Sequence, residues 1–209
     1  MAALCERRLG VPHISTGEIF RQEIARSSAL GRRVQRFVTS GRLVPDALVV
    51  AVMASRLRAQ VLAAGFTLDG FPRTRGQAVG LDRALSHRQA SLDGAVYLEA
   101  PQSVLVRRLS GRRVCPHCGA NYHVRTMRPR RSGRCDRCGT ALVIRKDDQP
   151  ATIRKRLAVD RAAAAPLVRY YERRGGLYRV NGAGTVERVF ARLERLFREQ
   201  GWLAGRRHD

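Results

Sequence analysis

Lysine is almost missing from this 209-residue chain: Lys146 and Lys155 stand alone among 40 cationic side chains, so nearly all of the positive charge is arginine. Acids are scarce as well, and 17 Asp and Glu leave a net charge of +23. That balance points to polyanionic partners, whether nucleotides, nucleic acid or an anionic surface. A GC-rich genome that writes surface cations as Arg accounts for many of the arginines outside motifs. No apolar run reaches the roughly 18 residues of a membrane helix. The N-terminus also lacks a basic-then-apolar export pattern, so a cytoplasmic, membrane-free protein is expected. Internal repeats and low-complexity linkers are absent too, which leaves one α/β domain carrying an insert.

What is present is mostly helical. Met1 to Leu9 reads as the back half of an amphipathic helix closed by Gly10. "VPHIST" is a short extended piece leading into Ser15-x-x-Glu18, a capping-box pattern, and a helix to about Ala25. Leu30 to Ser40 repeats the pattern, and Pro45 with Asp46 opens a longer helix expected to run to about Ala64. Val61 to Leu68 is a short apolar run that suits a buried strand ending at Asp69. Thr74-x-x-Gln77 can cap a helix to about Ser86, "GAVYLEA" reads as a second buried strand, and Pro101 opens another helix. Strand, helix and strand at this spacing predict right-handed βαβ units in a parallel sheet. After the insert come a long helix from about Ala151 to Arg173, a strand near Leu177 to Val180, and an amphipathic helix from Val186 to Gln200.

The insert, Gly111 to about Ile144, changes character to Cys, Gly, His and Arg. Cys115-x2-Cys118 and Cys135-x2-Cys138 are separated by sixteen residues. Each knuckle aims two thiolates at one point, with Gly119 or Gly139 next to permit the turn, and four soft ligands suit tetrahedral zinc. Disulfides are disfavoured in a reducing compartment, and a redox pair needs no second matched knuckle. A four-cysteine site has no open position, so the metal is expected to be structural. His117 and His123 read as surface histidines and Cys5 as a small core residue.

Several arginines sit at element ends: Arg21, Arg73, Arg108 and Arg112, Arg145 and Arg156. Singly, each reads as a solvated cation. Converging, their forked donors would make a polyphosphate clamp. Asp69 either caps its loop or holds a hydrated Mg²⁺ beside nucleotide phosphates.

Together, "PHISTGEIFR", "GRLVPDALV", "LDGFPRTRGQA", "GRRVCPHCGANYHV", "CDRCG", "RKDDQPATIRKRL" and "VNG" resemble the adenylate kinases, in the bacterial form whose lid carries zinc. The resemblance implies a nucleoside-monophosphate-kinase-like α/β fold, a parallel sheet flanked by helices with an inserted zinc-ribbon lid. Residues 1–110 and 145–209 would form the core, including AMP-binding helices at about 15–44, and 111–144 the lid. It places AMP against Thr16, Arg21, the Arg42-Leu43-Val44 backbone, Gly70, Phe71, Pro72, Arg73 and Gln77. Arg145 and Arg156 would close on the phosphates beside Asp147 and Asp148. Arg108, Arg112, Asn121 and Tyr122 match the ATP side, Gly184 matches near the adenine, and Asp69 organises Mg²⁺. Arg73, Arg112, Arg145, Arg156 and Asp147 would carry catalysis, Cys115, Cys118, Cys135 and Cys138 the zinc. The implied partners are ATP, AMP and ADP, the implied state a monomer.

One family feature is not among these residues: the central strand and G-x-x-x-x-G-K-[ST] loop that cradles ATP phosphates. The expectation is an assigned start inside the gene, with that segment about 15 residues upstream of Met1. Without it, the strands on either side each lose a partner, at roughly 1–3 kcal/mol per unpaired buried group. The alternatives are an inactive homologue that still binds AMP, or a basic zinc-ribbon protein that binds nucleic acid. The intact AMP-side motifs and the few aromatics of the ribbon make the nucleic-acid reading the weaker.

Overall fold

The computed structural model describes residues 1–203. Helix α1 (Ala2–Leu9) ends on Gly10, whose left-handed φ of 64° suits glycine. Strand β1 (His13–Ser15) runs directly into α2 (Thr16–Ala25), with the Ser15 hydroxyl accepting from the Glu18 N–H. Helix α3 (Ala29–Ser40) is capped in the same way by Ser28. Gly31 lets α2 and α3 touch, because a Cβ there would lie 2.1 Å from the Glu23 carbonyl oxygen.

Two expectations fail in the next stretch. The helix opened at Pro45 breaks in two, α4 (Asp46–Arg56) and α5 (Ala59–Ala64), because Leu57 leaves helical geometry and sinks into the core at 0% exposure. Burial of one leucine outweighs continuity of the helix. In consequence Val61 belongs to α5, and strand β2 is only Thr67–Asp69, half-buried rather than buried over Thr67 and Leu68 and with Asp69 exposed. Helix α6 (Arg75–Ser86) follows, capped by Thr74. Strand β3 (Ala95–Glu99) is half-buried to exposed, not the fully buried strand expected, and leads to α7 (Gln102–Ser110).

Antiparallel strands β4 (Arg112–Val114) and β5 (Asn121–His123) open the cysteine insert. A 3₁₀ turn (Lys146–Asp148) and the long α8 (Pro150–Glu172) return the chain, and β6 (Leu177–Asn181) and α9 (Val186–Glu199) complete it. This is an α/β fold of parallel strands flanked by helices. Among the described residues β1 pairs in parallel with β2, and β3 in parallel with β6, as two separate two-stranded sheets.

The main core gathers Phe20, Val34, Val44, Val49, Met53, Leu57, Phe71, Leu81 and Leu85 from α2, α3, α4, α6 and the loops between them. A second cluster, Cys5, Leu9, Val11 and Phe190, seats α1 against α9, so Cys5 is a core residue as its position suggested. No described helix is long and apolar enough to cross a membrane.

Candidate functional site

The site grows from the shared end of β1 and β2. Their register sets Ser15 opposite Asp69, so the chain leaves both strands at one level, the place where open parallel sheets accept ligands. The Thr16 hydroxyl donates to the Gly70 carbonyl at 3.1 Å, and Arg73 Nε donates to the same oxygen at 2.8 Å. Beneath them Phe71 anchors the loop in the core, ahead of a cis Phe71–Pro72 bond.

Gln77 is 2% exposed, so its amide must be satisfied internally. Its Oε1 accepts from the Arg73 N–H at 2.8 Å, and its Nε2 donates to Asp46 Oδ1 at 2.9 Å. The other Asp46 oxygen accepts from the Thr74 hydroxyl at 2.7 Å. Asp46 therefore fixes both the cap of α6 and the face that Gln77 presents.

Across the cavity, α8 supplies the counter-charges. Asp160 lies 3.3 Å from Arg73 Nη1 and 3.7 Å from Arg156 Nε, one helical turn away, and Arg156 Nη1 donates to Asp147 at 3.0 Å. The result is a ladder of alternating charge, Arg73, Asp160, Arg156 and Asp147. Thr16, Arg21, Arg42, Leu43, Val44, Gly70, Arg73, Gln77, Asp147 and Arg156 all line this one cavity. Sequence positions from 16 to 156 thus converge on a concave, guanidinium-rich surface.

Arg21 and Arg145 carry the cost of that convergence. Burial draws the Arg21 guanidinium down from its ordinary value, with the Asp147 carboxylate opposing. Arg145 is pulled down to about 10, first by burial and then by repulsion from Arg21 and Arg112. Its Nη2 donates to Asn121 at 3.2 Å, but its buried Nε has no partner. A desolvated cation among cations, with a donor to spare, is a strong acceptor of an anionic ligand.

Arg112 is committed elsewhere. Its Nε donates to Asp148 at 2.6 Å and Nη2 grips the second oxygen, forming a two-pronged pair whose acid is fully buried. On the remaining side, Arg108 Nη2 donates to the Gly184 carbonyl at 2.9 Å, bringing those two positions together. The Asn121 Nδ2 donates to Gly119 O. Tyr122 faces inward, its hydroxyl accepting from the Asp136 N–H at 2.8 Å and lying 3.5 Å from Cys135 Sγ, so only its main chain is available to a ligand. The Asp69 carboxylate is 57% exposed and 3.5 Å from His13 Nε2. His13 is raised, chiefly by that side-chain contact, and Asp69 is lowered by the same partner.

The four thiols of Cys115, Cys118, Cys135 and Cys138 lie within 4.8 Å of one another. Cys115 to Cys138 is 3.4 Å and Cys118 to Cys135 is 3.5 Å. Four thiolates around zinc at about 2.3 Å would stand about 3.8 Å apart, so the donor set fits a tetrahedral ion. His117 is exposed and outside the cluster. His123 is not a free surface residue: its Nδ1 accepts from the N–H groups of Arg125 and Thr126.

Comparison with known proteins gives the family of the chain. The adenylate kinase family model matches residues 1–176. The adenylate kinase of Moorella thermoacetica is 46% identical over 189 residues, covering 90% of this chain and 87% of that one. That of Anaeromyxobacter sp. (strain K) is 46% identical over 190 residues, covering 91% and 89%. That of Kosmotoga olearia is 42% identical over 193 residues, covering 90% of each. The chain belongs to the adenylate kinase family. Family membership makes it a nucleotide-binding phosphotransferase with a cysteine cluster of the zinc-lid type.

For an adenylate kinase chain, two important acids escaped sequence reasoning. Asp160 stands four residues after Arg156, a helical pairing distance that the sequence does display. Asp46 was read as a helix opener, which it is; nothing local reveals its bonds to Thr74 and Gln77, 28 and 31 residues away.

Proposed function

We propose that the chain performs reversible phosphoryl transfer between ATP and AMP, giving two molecules of ADP. The observation that carries this reading is the single cavity in which Thr16, Gln77 and the 42–44 backbone face the arginine ladder. AMP would seat its base toward Gln77 and the 42–44 backbone and its phosphate among Arg21, Arg73, Arg145 and Arg156. Forked donors on two sides fix the acceptor oxygen in line with the group being transferred, and no covalent intermediate is needed. Arg108, Arg112 and the 121–122 main chain would face ATP, with Gly184 beside its base.

Asp69, exposed at the end of β2, would hold the waters of a nucleotide-bound Mg²⁺, an ion that neutralises charge developing on the phosphates. The cysteine set would hold zinc as a structural ion, making residues 111–144 a lid that excludes water while residues 1–110 and 145–209 form the core. A cytoplasmic monomer is the accompanying expectation.

A second reading has its own observation: no G-x-x-x-x-G-K loop occurs among these residues, and among the described residues the parallel strands form two unjoined pairs. It predicts AMP binding without turnover. Calorimetric titration with AMP and a coupled assay of ADP formation from ATP and AMP decide between them. Binding with turnover supports the kinase, binding alone the second reading, and neither overturns both. The Arg73→Ala variant should abolish whichever signal is present.

A further inference from the structure

We infer that the cleft between the start of α6 and the C-terminal part of α8 is a second anion site, one that takes the phosphate chain of a small polyphosphate. The cleft measures about 310 Å³ and is lined by Arg75, Pro166, Arg169, Tyr170, Arg173 and Arg174. None of these residues lines the cavity around Arg73 and Arg156.

The arginines of the two places differ in their counter-charges. Those of the ladder are balanced by Asp147 and Asp160. In the cleft only Arg174 is balanced, 3.6 Å from Asp82, and it also donates to the Tyr170 hydroxyl at 3.2 Å. Among the described residues, Arg75, Arg169 and Arg173 form no ion pair. Cations near the C-terminus of α8 are favoured by the helix dipole, which explains Arg169 and Arg173 singly. It does not explain Arg75, the first residue of α6, which adds its charge to the positive end of a helix. Uncompensated guanidiniums facing one concavity repel each other, and a multiply charged anion relieves that repulsion.

Size and lining narrow the ligand. The volume is at the low end of small-ligand pockets, roughly 300–1,000 Å³, and excludes a duplex. Single-stranded nucleic acid binds by stacking bases on aromatic faces. Here the Arg174 guanidinium lies over the Tyr170 ring, 5.3 Å from its centroid, and Tyr171 meets the same ring edge-to-face. The aromatic surface is already used, and the forks of Arg75, Arg169 and Arg173 remain for phosphate oxygens.

The test is calorimetric titration of the chain with inorganic triphosphate. One equivalent should bind in this cleft in addition to any taken by the AMP-side and ATP-side arginines. The Arg169→Ala, Arg173→Ala variant should lose one equivalent while retaining AMP binding; alanine is the best helix former, so α8 holds. The Arg169→Lys, Arg173→Lys variant keeps the charge but loses the forks, and should bind that equivalent several-fold more weakly. Arg26→Ala with Arg33→Ala, an equal charge loss at the C-terminal end of α2 and on α3, should keep every equivalent. The same number of equivalents in the parent chain and in the Arg169→Ala, Arg173→Ala variant, or the same loss from the Arg26 and Arg33 control, overturns the site. In an Arg73→Ala background, ATP binding as tightly as triphosphate identifies nucleotide phosphates as the source, and much weaker ATP binding identifies inorganic chains. Both results support the site. Displacement of triphosphate by a short single-stranded RNA at lower concentration than by ATP overturns it.

Discussion

The cysteine module and the arginine-lined cavity are both collections of polar groups, but they are held together in opposite ways. The module is local and nearly self-repeating: Cys115 N–H donates to Ala120 O and Gly119 N–H to Cys115 O, while Cys135 N–H donates to Thr140 O and Gly139 N–H to Cys135 O. Its apolar core is only Cys115, Tyr122 and Cys135, with Cys118, Ala120 and Leu142 around them. So small a core cannot offset the entropy of ordering the segment, which makes a metal the natural staple. The cavity has no staple. Its walls are fixed by the main hydrophobic core beneath and by ion pairs between residues as distant as Arg73 and Asp160.

Breaking the staple should therefore have the largest and most confined effect. Replacing Cys135 and Cys138 by Ser should remove one equivalent of bound zinc and unfold residues 111–144, since structural zinc contributes about 10–16 kcal/mol of binding free energy. Amide hydrogen exchange would show lost protection across the module and retained protection in α4 and α6. Protection lost equally in both regions would mean that the two are not independent.

The seam between them is Arg112 with Asp148. Arg112 belongs to β4, the first strand of the module, and Asp148 to the 3₁₀ turn that follows it, where its carboxylate is completely buried. Asp148→Ala should cost about 3–5 kcal/mol by stranding a partly buried guanidinium. Urea unfolding would read it, and the Arg112→Ala, Asp148→Ala double variant should recover part of the loss. A double variant as weak as the sum of its singles would show that the two do not couple.

The same contrast explains what could be read without coordinates. The knuckles announce themselves because ligand, turn glycine and partner ligand lie within a few residues. Caps at Ser15, Thr74 and Thr185 are equally local, and helix starts near them agree with the sequence. The break at Leu57 was hidden because its cause is a tertiary pocket that outcompetes helix continuity. The shortness of β2 had the same origin, since apolar Val61 and Leu62 serve the core from a helix as well as from a strand. For the cavity, motifs nominated Thr16, Arg73, Gln77, Arg156 and the Asp147 that pairs with it. Asp46 and Asp160 stayed unseen, because a carboxylate does not name a partner that is distant in the chain. Tyr122 shows the converse: a residue named by motif whose ring is spent on the cysteine cluster.

Within the cavity, Asp46 is the sharpest probe, because it touches Gln77 without lining the space. Asp46→Ala removes two hydrogen bonds to a charged acceptor, each worth roughly 1.5–3 kcal/mol when buried. Rearrangement of Gln77 should absorb part of that. AMP affinity should fall about tenfold, or about 1.4 kcal/mol, in calorimetric titration, while the metal content of the module stays at one equivalent. Unchanged AMP affinity would show that Gln77 holds its face without Asp46.

The smallest effect is expected at His13 and Asp69, a pair that joins β1 to β2. Asp69 is lowered from 3.8, so its share of the stability is present above pH 3.8 and is lost as pH falls through its depressed value. His13 is raised from 6.5, so its share is fully present below pH 6.5 and disappears as pH rises through its elevated value. Together they predict greatest benefit between pH 3.8 and 6.5 and a decline above it. Because Asp69 is more than half exposed, solvent screening should keep the whole effect below about 1 kcal/mol. Urea midpoints at pH 6 and pH 8 should differ slightly in the parent chain, in favour of pH 6, and His13→Asn should erase that difference. A His13→Asn chain with the same pH dependence as the parent would place the titrating group elsewhere. That outcome would leave the Asp69 carboxylate independent of its neighbour, and free to engage a hydrated cation at any pH above its own titration.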